Sequence, residues 1–151
     1  MALPKMLQGL SKTLKFYARF TPSFTRIGYV ARLLPFRPIS GNFAGQRWLV
    51  TGASGGIGKA VALMAAGRGA QVFAVGRNLD ALELLVSESV ELAGTIHPVL
   101  CDLASVAAID EMARHWNQST EIDVLVNCVG ILNRDYSSTH EGFETTYTTN
   151  L

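Results

Sequence analysis

Residues Trp48 to Ile57 read Trp-Leu-Val-Thr-Gly-Ala-Ser-Gly-Gly-Ile and run straight into Gly58 and Lys59, so an apolar strand feeds a glycine-rich turn that opens a helix. Glycine at such a turn lets the backbone approach an anion closely. The first N–H groups of the following helix have no intrahelical partners and point at that anion. The segment therefore predicts a strand-turn-helix unit in which Gly52, Ser54, Gly55, Gly56, Ile57 and Gly58 hold a dinucleotide pyrophosphate. An ordinary strand-to-helix turn is the other reading of the same residues, and the neighbouring segments have to decide between them.

Gln71 to Val75 predicts a second strand, an apolar run with β-branched residues between Gly69-Ala70 and Gly76. It ends about 20 residues after the glycines, where dinucleotide sites read the adenosine ribose. An NAD-selective site places Asp or Glu there, whereas this chain has Gly76 and Arg77 and no carboxylate before Asp80. A guanidinium makes a charge-assisted, bidentate contact to a 2′-phosphate that a carboxylate would repel. NADP(H) is thus expected over NAD(H), with Arg77 carrying the preference; the plain reading is a solvated Arg at a strand end. A third strand is predicted at Ile96 to Leu100, before Cys101, Asp102, Leu103 and a helix over about 105–116. Asp102 there can simply satisfy N–H groups at a helix start. A fourth strand, Val124 to Val126, continues into Asn127-Cys128-Val129-Gly130.

Gly52, Gly56 and Gly58 spell Thr-Gly-x-x-x-Gly-x-Gly, which resembles the short-chain dehydrogenase/reductase family. Through Gly55 the same residues also fit the Thr-Gly-x-x-Gly-x-x-Gly form of the epimerase branch. The order of the later blocks favours the compact dehydrogenase branch. The resemblance implies an α/β fold, the N-terminal half of a doubly wound parallel-sheet Rossmann domain over 47–151, and hydride transfer between NADP(H) and a carbonyl or alcohol substrate. It implies that Asp102 and Leu103 line the adenine pocket. It also implies that Asn127, Val129 and Gly130 form the cofactor wall; Asn127 and Gly130 match an Asn-Asn-Ala-Gly segment at its first and last positions, whereas Cys128 and Val129 depart from it. Glu141 to Leu151 resembles the helix that delivers a supporting Asn, here Asn150, to the active site; a surface helix residue is the alternative. A finer resemblance, to the member 12 type of the family, rests on Phe24 to Tyr29 and Thr139 to Glu144.

The chemistry of that family needs a Tyr with a Lys four residues later and a Ser to polarise the carbonyl. Lys59 is the last lysine, and no Tyr is followed by Lys at that spacing. The 151-residue chain is therefore expected to be inactive by itself: a fragment, a truncated product or a short isoform of a protein that is a homo-oligomer when complete. A second class of reading is a non-catalytic short product that binds a nucleotide, a membrane surface or a full-length partner.

The net charge of +1 hides an asymmetry: residues 1–79 carry +11 with no Asp or Glu, and residues 80–151 carry −10. Residues 1–46 predict a basic amphipathic helical extension. Lys5, Gln8, Lys12, Lys15 and Arg19 share one helical face, with Leu3, Met6, Leu7, Leu10, Leu14 and Tyr17 opposite. A second apolar-basic segment, Phe24 to Leu34, closes at Pro35 and Pro38. Three readings stay open for residues 3–34: peripheral contact with an anionic membrane, packing on another part of the protein, and a mitochondrial presequence. The expected location is cytoplasmic or peripheral membrane, with mitochondrial as the alternative. No apolar run reaches the roughly 18 residues of a spanning helix. Cys101 and Cys128 are expected as reduced thiols. His97 with Cys101 makes a poor metal site, so no metal is expected. The Asn117-Gln118-Ser119 sequon has no secretory context, and no nucleic-acid motif stands out.

Overall fold

In a computed structural model of the chain, residues 3–36, 41–117 and 121–150 are described, without the side chains of residues 3–8, Pro22 and Asn117. Pro38, the sequon residues Gln118 and Ser119, Leu151, and the side chains of Leu3, Lys5, Met6, Leu7 and Gln8 lie outside the described residues.

The chain divides into two compact units, Met1–Ser40 and Gly41–Leu151. The first holds α1 (Leu3–Phe24) and α2 (Arg26–Leu33). Thr25 separates them with extended backbone, and its hydroxyl accepts from the Gly28 N–H at 3.2 Å, an N-cap that starts α2.

The second unit alternates β1 (Arg47–Thr51), α3 (Gly56–Ala66), β2 (Gln71–Gly76), α4 (Leu79–Glu88), β3 (Thr95–Leu100), α5 (Val106–Asn117), β4 (Val124–Asn127) and α6 (Thr145–Asn150). All strands pair in parallel in the order β3-β2-β1-β4. The reversal of order beside β1 is the switch point of a doubly wound sheet, so the expected α/β half-fold is the observed one. Residues 41–46, counted with the leader from sequence, belong to this second unit. The Phe43 ring packs 4.9 Å from Trp48, and its N–H donates to Arg68 O at 2.8 Å.

Alternation along the strands divides the core between the two faces of the sheet. Val50, Val72 and Ala74 bury against α3 and α4 with Ala62, Ala65, Ala66, Leu82 and Leu85. Leu49 and Val75 bury on the other face, where Phe73, Met112 and Trp116 complete the layer under α5. Full burial of Leu82, Leu85, Val50, Val72 and Val75 contributes about 1.5–3 kcal/mol each. The small residues of α3 allow a close approach: a Cβ on Gly58 would fall 2.3 Å from Gly52 O. Pro98 sits in β3, an edge strand, where its missing N–H costs no ladder bond on the outer side. Beyond β4 no further strand pairs among the described residues, and Leu125 is 58% exposed there.

Candidate functional site

β1 delivers Thr51 to the carboxyl end of the sheet, and its hydroxyl accepts from the Cys128 N–H at 3.1 Å, joining the ends of β1 and β4. The turn that follows needs glycine twice. Gly52 (φ 66°) and Gly56 (φ 55°) lie in the left-handed region that L side chains rarely adopt. A Cβ on Gly52 would also press to 3.0 Å from the Cys128 carbonyl. Around Gly55 and Gly56 a Cβ would meet nothing within 4 Å, so the space above the turn is open. Ile57 is exposed beside it, whereas Gly58 is buried against Gly52 and works as a packing residue.

The start of α3 has Gly55 at its cap and no side-chain cap. The other helix starts in this unit are covered. Asn78 Oδ1 accepts from Ala81 N–H on α4, Glu141 accepts from Val106 and Ala107 on α5, and Glu144 accepts from Thr146 and Tyr147 on α6. The N–H groups at the start of α3 thus remain available to an anion, and the positive end of its dipole points at the open turn.

A cleft of about 180 Å³ opens at the carboxyl ends of β1, β2 and β3 and brings together Gly52, Ser54, Arg77, Asp102, Leu103 and Val129. Arg77 is exposed and makes no hydrogen bond or ion pair with the described residues. Asp102 takes part in a local turn as well, its Oδ1 accepting from Ala104 N–H at 3.1 Å. Beside it, burial pushes the Cys101 thiol up, and the Asp102 carboxylate adds to that. An adjoining cleft of about 250 Å³ holds Asn127 and Asn150 and shares Leu103 and Val129 with the first. Gly130 lines neither cleft; a Cβ there would stand 3.7 Å from Asn150 Oδ1.

Asn150 is bound to the wall: its Nδ2 donates to Ile131 O at 2.9 Å, and its Oδ1 accepts from Ile131 N–H at 2.8 Å. Three residues here were not read from sequence. Ile131 and Thr149 line the first cleft, and Glu141 reaches back to α5. Thr149 is 8% exposed, and its hydroxyl is buried without a hydrogen-bond partner among the described residues. Neighbouring Thr148 instead donates to the Glu144 carbonyl at 2.8 Å. A larger hollow of about 600 Å³ lies between β3 and α5, lined by Phe73, His97 and Trp116 among others, away from the glycine turn. Among the described residues no group of three His, Cys, Asp or Glu could hold a metal, and Cys101 and Cys128 are free thiols.

The uncapped helix start, two left-handed glycines and open space above the turn fit a dinucleotide, and the comparisons agree. The family model for short chain dehydrogenases matches residues 46–151. Human dehydrogenase/reductase SDR family member 1 is 39% identical over 85 residues, 55% of this chain and 27% of that protein. Bovine dehydrogenase/reductase SDR family member 12 is 27% identical over 145 residues, 93% of this chain and 46% of that protein. The crystal structure of a metagenomic short-chain oxidoreductase in complex with NADP aligns with a TM-score of 0.56 and 35% identity, covering 60% of this chain and 42% of that one. The chain thus spans less than half the length of each of these relatives. With 106 of its residues matched, a doubly wound sheet and the glycine turn in place, it belongs to the short-chain dehydrogenase family.

Proposed function

We propose that this chain is the cofactor-binding part of an oxidoreductase that transfers hydride between NADP(H) and a carbonyl or alcohol substrate. The observation that carries the cofactor choice is Arg77, unpaired among the described residues in a cleft where β2 ends without a carboxylate. Bound there, the nicotinamide cofactor supplies or accepts the hydride. The chain's own residues position it. The start of α3, with Gly52, Ser54, Gly55, Gly56 and Ile57, holds the pyrophosphate while Gly58 packs beneath the turn, and Arg77 holds the 2′-phosphate. Asp102 and Leu103 face the adenine, and Asn127, Val129 and Gly130 form the wall. Asn150, through Ile131, keeps that wall in place for catalytic groups outside these 151 residues. By itself the chain does not turn over, because no Tyr is followed four residues later by Lys. Residues 3–34 serve as a peripheral membrane contact.

Titration of NADPH and NADH into the purified chain and into Arg77→Ala tests the cofactor reading. Loss of a charge-assisted pair predicts a fall of about 10- to 100-fold in NADPH affinity, with NADH affinity little changed. An unchanged NADPH-to-NADH ratio overturns the assignment of Arg77.

A further inference from the structure

Within its own unit the leader presents a broad apolar face. Successive residues of a helix turn by about 100°, which puts Leu10, Leu14, Tyr17, Phe20 and Phe24 of α1 on one side and Lys12, Lys15 and Arg19 on the other. Leu14 is 71% and Phe24 78% exposed. Phe16, Phe20 and Phe24 stack in sequence with ring centroids 4.3 and 5.3 Å apart, forming one continuous ridge. In α2 the buried residue is Gly28, while Ile27, Tyr29 and Val30 stay exposed near Arg26 and Arg32. Folded proteins rarely leave so much contiguous apolar surface in water without a partner.

Charge narrows the partner to an anionic one. Residues 1–79 contain no carboxylate, so every charged side chain on these two helices is a cation. A duplex nucleic acid would pair with the cations and leave the aromatic ridge in water, an uncharged apolar protein surface would cover the ridge and leave the cations unmatched, and an anionic bilayer interface matches both. Single-stranded nucleic acid or an acidic protein groove in its place would leave the chain unbound to vesicles. We propose that α1 and α2 lie in the interface of a bilayer containing anionic phospholipid. The ridge sits at the boundary of headgroups and acyl chains, and Lys12, Lys15 and Arg19 face the lipid phosphates. No helix among the described residues is long and apolar enough to cross a membrane, so the contact is in-plane. The inference rests on the leader's part of the proposed function and is independent of its cofactor part.

Flotation of the full chain with phosphatidylcholine vesicles, with and without phosphatidylserine, tests it. The chain is expected to float with the anionic vesicles and to be released by salt, because the attraction extends only a Debye length. Lys12→Gln with Lys15→Gln and Arg19→Gln should lower partitioning by more than tenfold, at about fivefold per basic residue near the surface. Leu14→Ser with Phe24→Ser should abolish it at unchanged charge. Equal binding to both vesicles, no binding, or capture by RNA that is insensitive to the serine substitutions overturns the proposal. NADPH titration of the same samples keeps the two readings apart, since the leader variants should bind nucleotide as the parent chain does.

Discussion

Asn150 brackets the main chain of Ile131, donating to its carbonyl and accepting from its N–H across 19 residues of sequence. The bond pair fixes the segment after β4 against α6, which is one wall of both clefts. Asn150→Asp keeps the size and the acceptor but removes the donor, so Ile131 O loses its partner. Stability should fall by about 1 kcal/mol in urea unfolding; an unchanged midpoint would show that this wall does not depend on the pair.

Glu141 caps α5 from 35 residues away, accepting from the Val106 and Ala107 N–H groups and from the Ser105 hydroxyl. The Ala107 and Val106 N–H groups hold its carboxyl below the usual range. A carboxylate lowered on folding adds stability that is present above its ordinary pKa and lost as pH falls through the folded value. Thermal midpoints should therefore drop as pH goes below about 4. Glu141→Gln should be less stable than the parent at neutral pH, with the gap closing in acid. A gap that persists at the lowest pH would assign the effect to shape rather than charge.

Gly58 tests the close approach of α3 to the end of β1. With 2.3 Å between an added Cβ and Gly52 O, Gly58→Ala forces backbone to move. Overpacking of this kind costs about 1–3 kcal/mol, and here it also distorts the turn proposed to hold the pyrophosphate. NADPH affinity and the unfolding midpoint should fall together. Gly55→Ala, which meets nothing within 4 Å, should leave the fold intact and reduce nucleotide binding alone.

Thr149 holds a buried hydroxyl that no described residue satisfies. Thr149→Val removes it at nearly constant volume, so the nucleotide-free chain should be as stable as the parent or up to about 1 kcal/mol more stable. A loss beyond that in denaturant unfolding would mean that the hydroxyl has a partner in solution.

Much of this was legible before folding. The strands expected at Gln71 to Val75, Ile96 to Leu100 and Val124 to Val126 appear within one residue of those ends, and the strand expected to feed the glycine turn forms at Arg47–Thr51, because short apolar runs bounded by glycine and polar residues record burial directly. The helix expected over about 105–116 forms at Val106–Asn117. Arg77, Asp102 and Val129 follow separate strands in the sequence, and they meet in one cleft because parallel strands carry their carboxyl ends to the same edge. The helical leader was legible from its period of about 3.6 residues. The start of the second unit was not. Phe43 joins it by packing on Trp48, a contact that no local pattern announces.

The sequence by itself determined the strands, the helix after the third strand and the glycine turn, since each is set by interactions within a few residues along the chain, and its composition fixed the charge division. α4 was not read from it, and the helix expected within residues 141–151 forms only at Thr145–Asn150. Only the tertiary structure decided that Glu141 caps α5, that Asn150 clamps Ile131, that Gly58 is a packing residue, and that Thr149 is buried without a partner. Those outcomes depend on hydrogen bonds and close contacts between segments brought together by sheet order. A side chain's chemistry states what it can bind but not which backbone the fold will place before it.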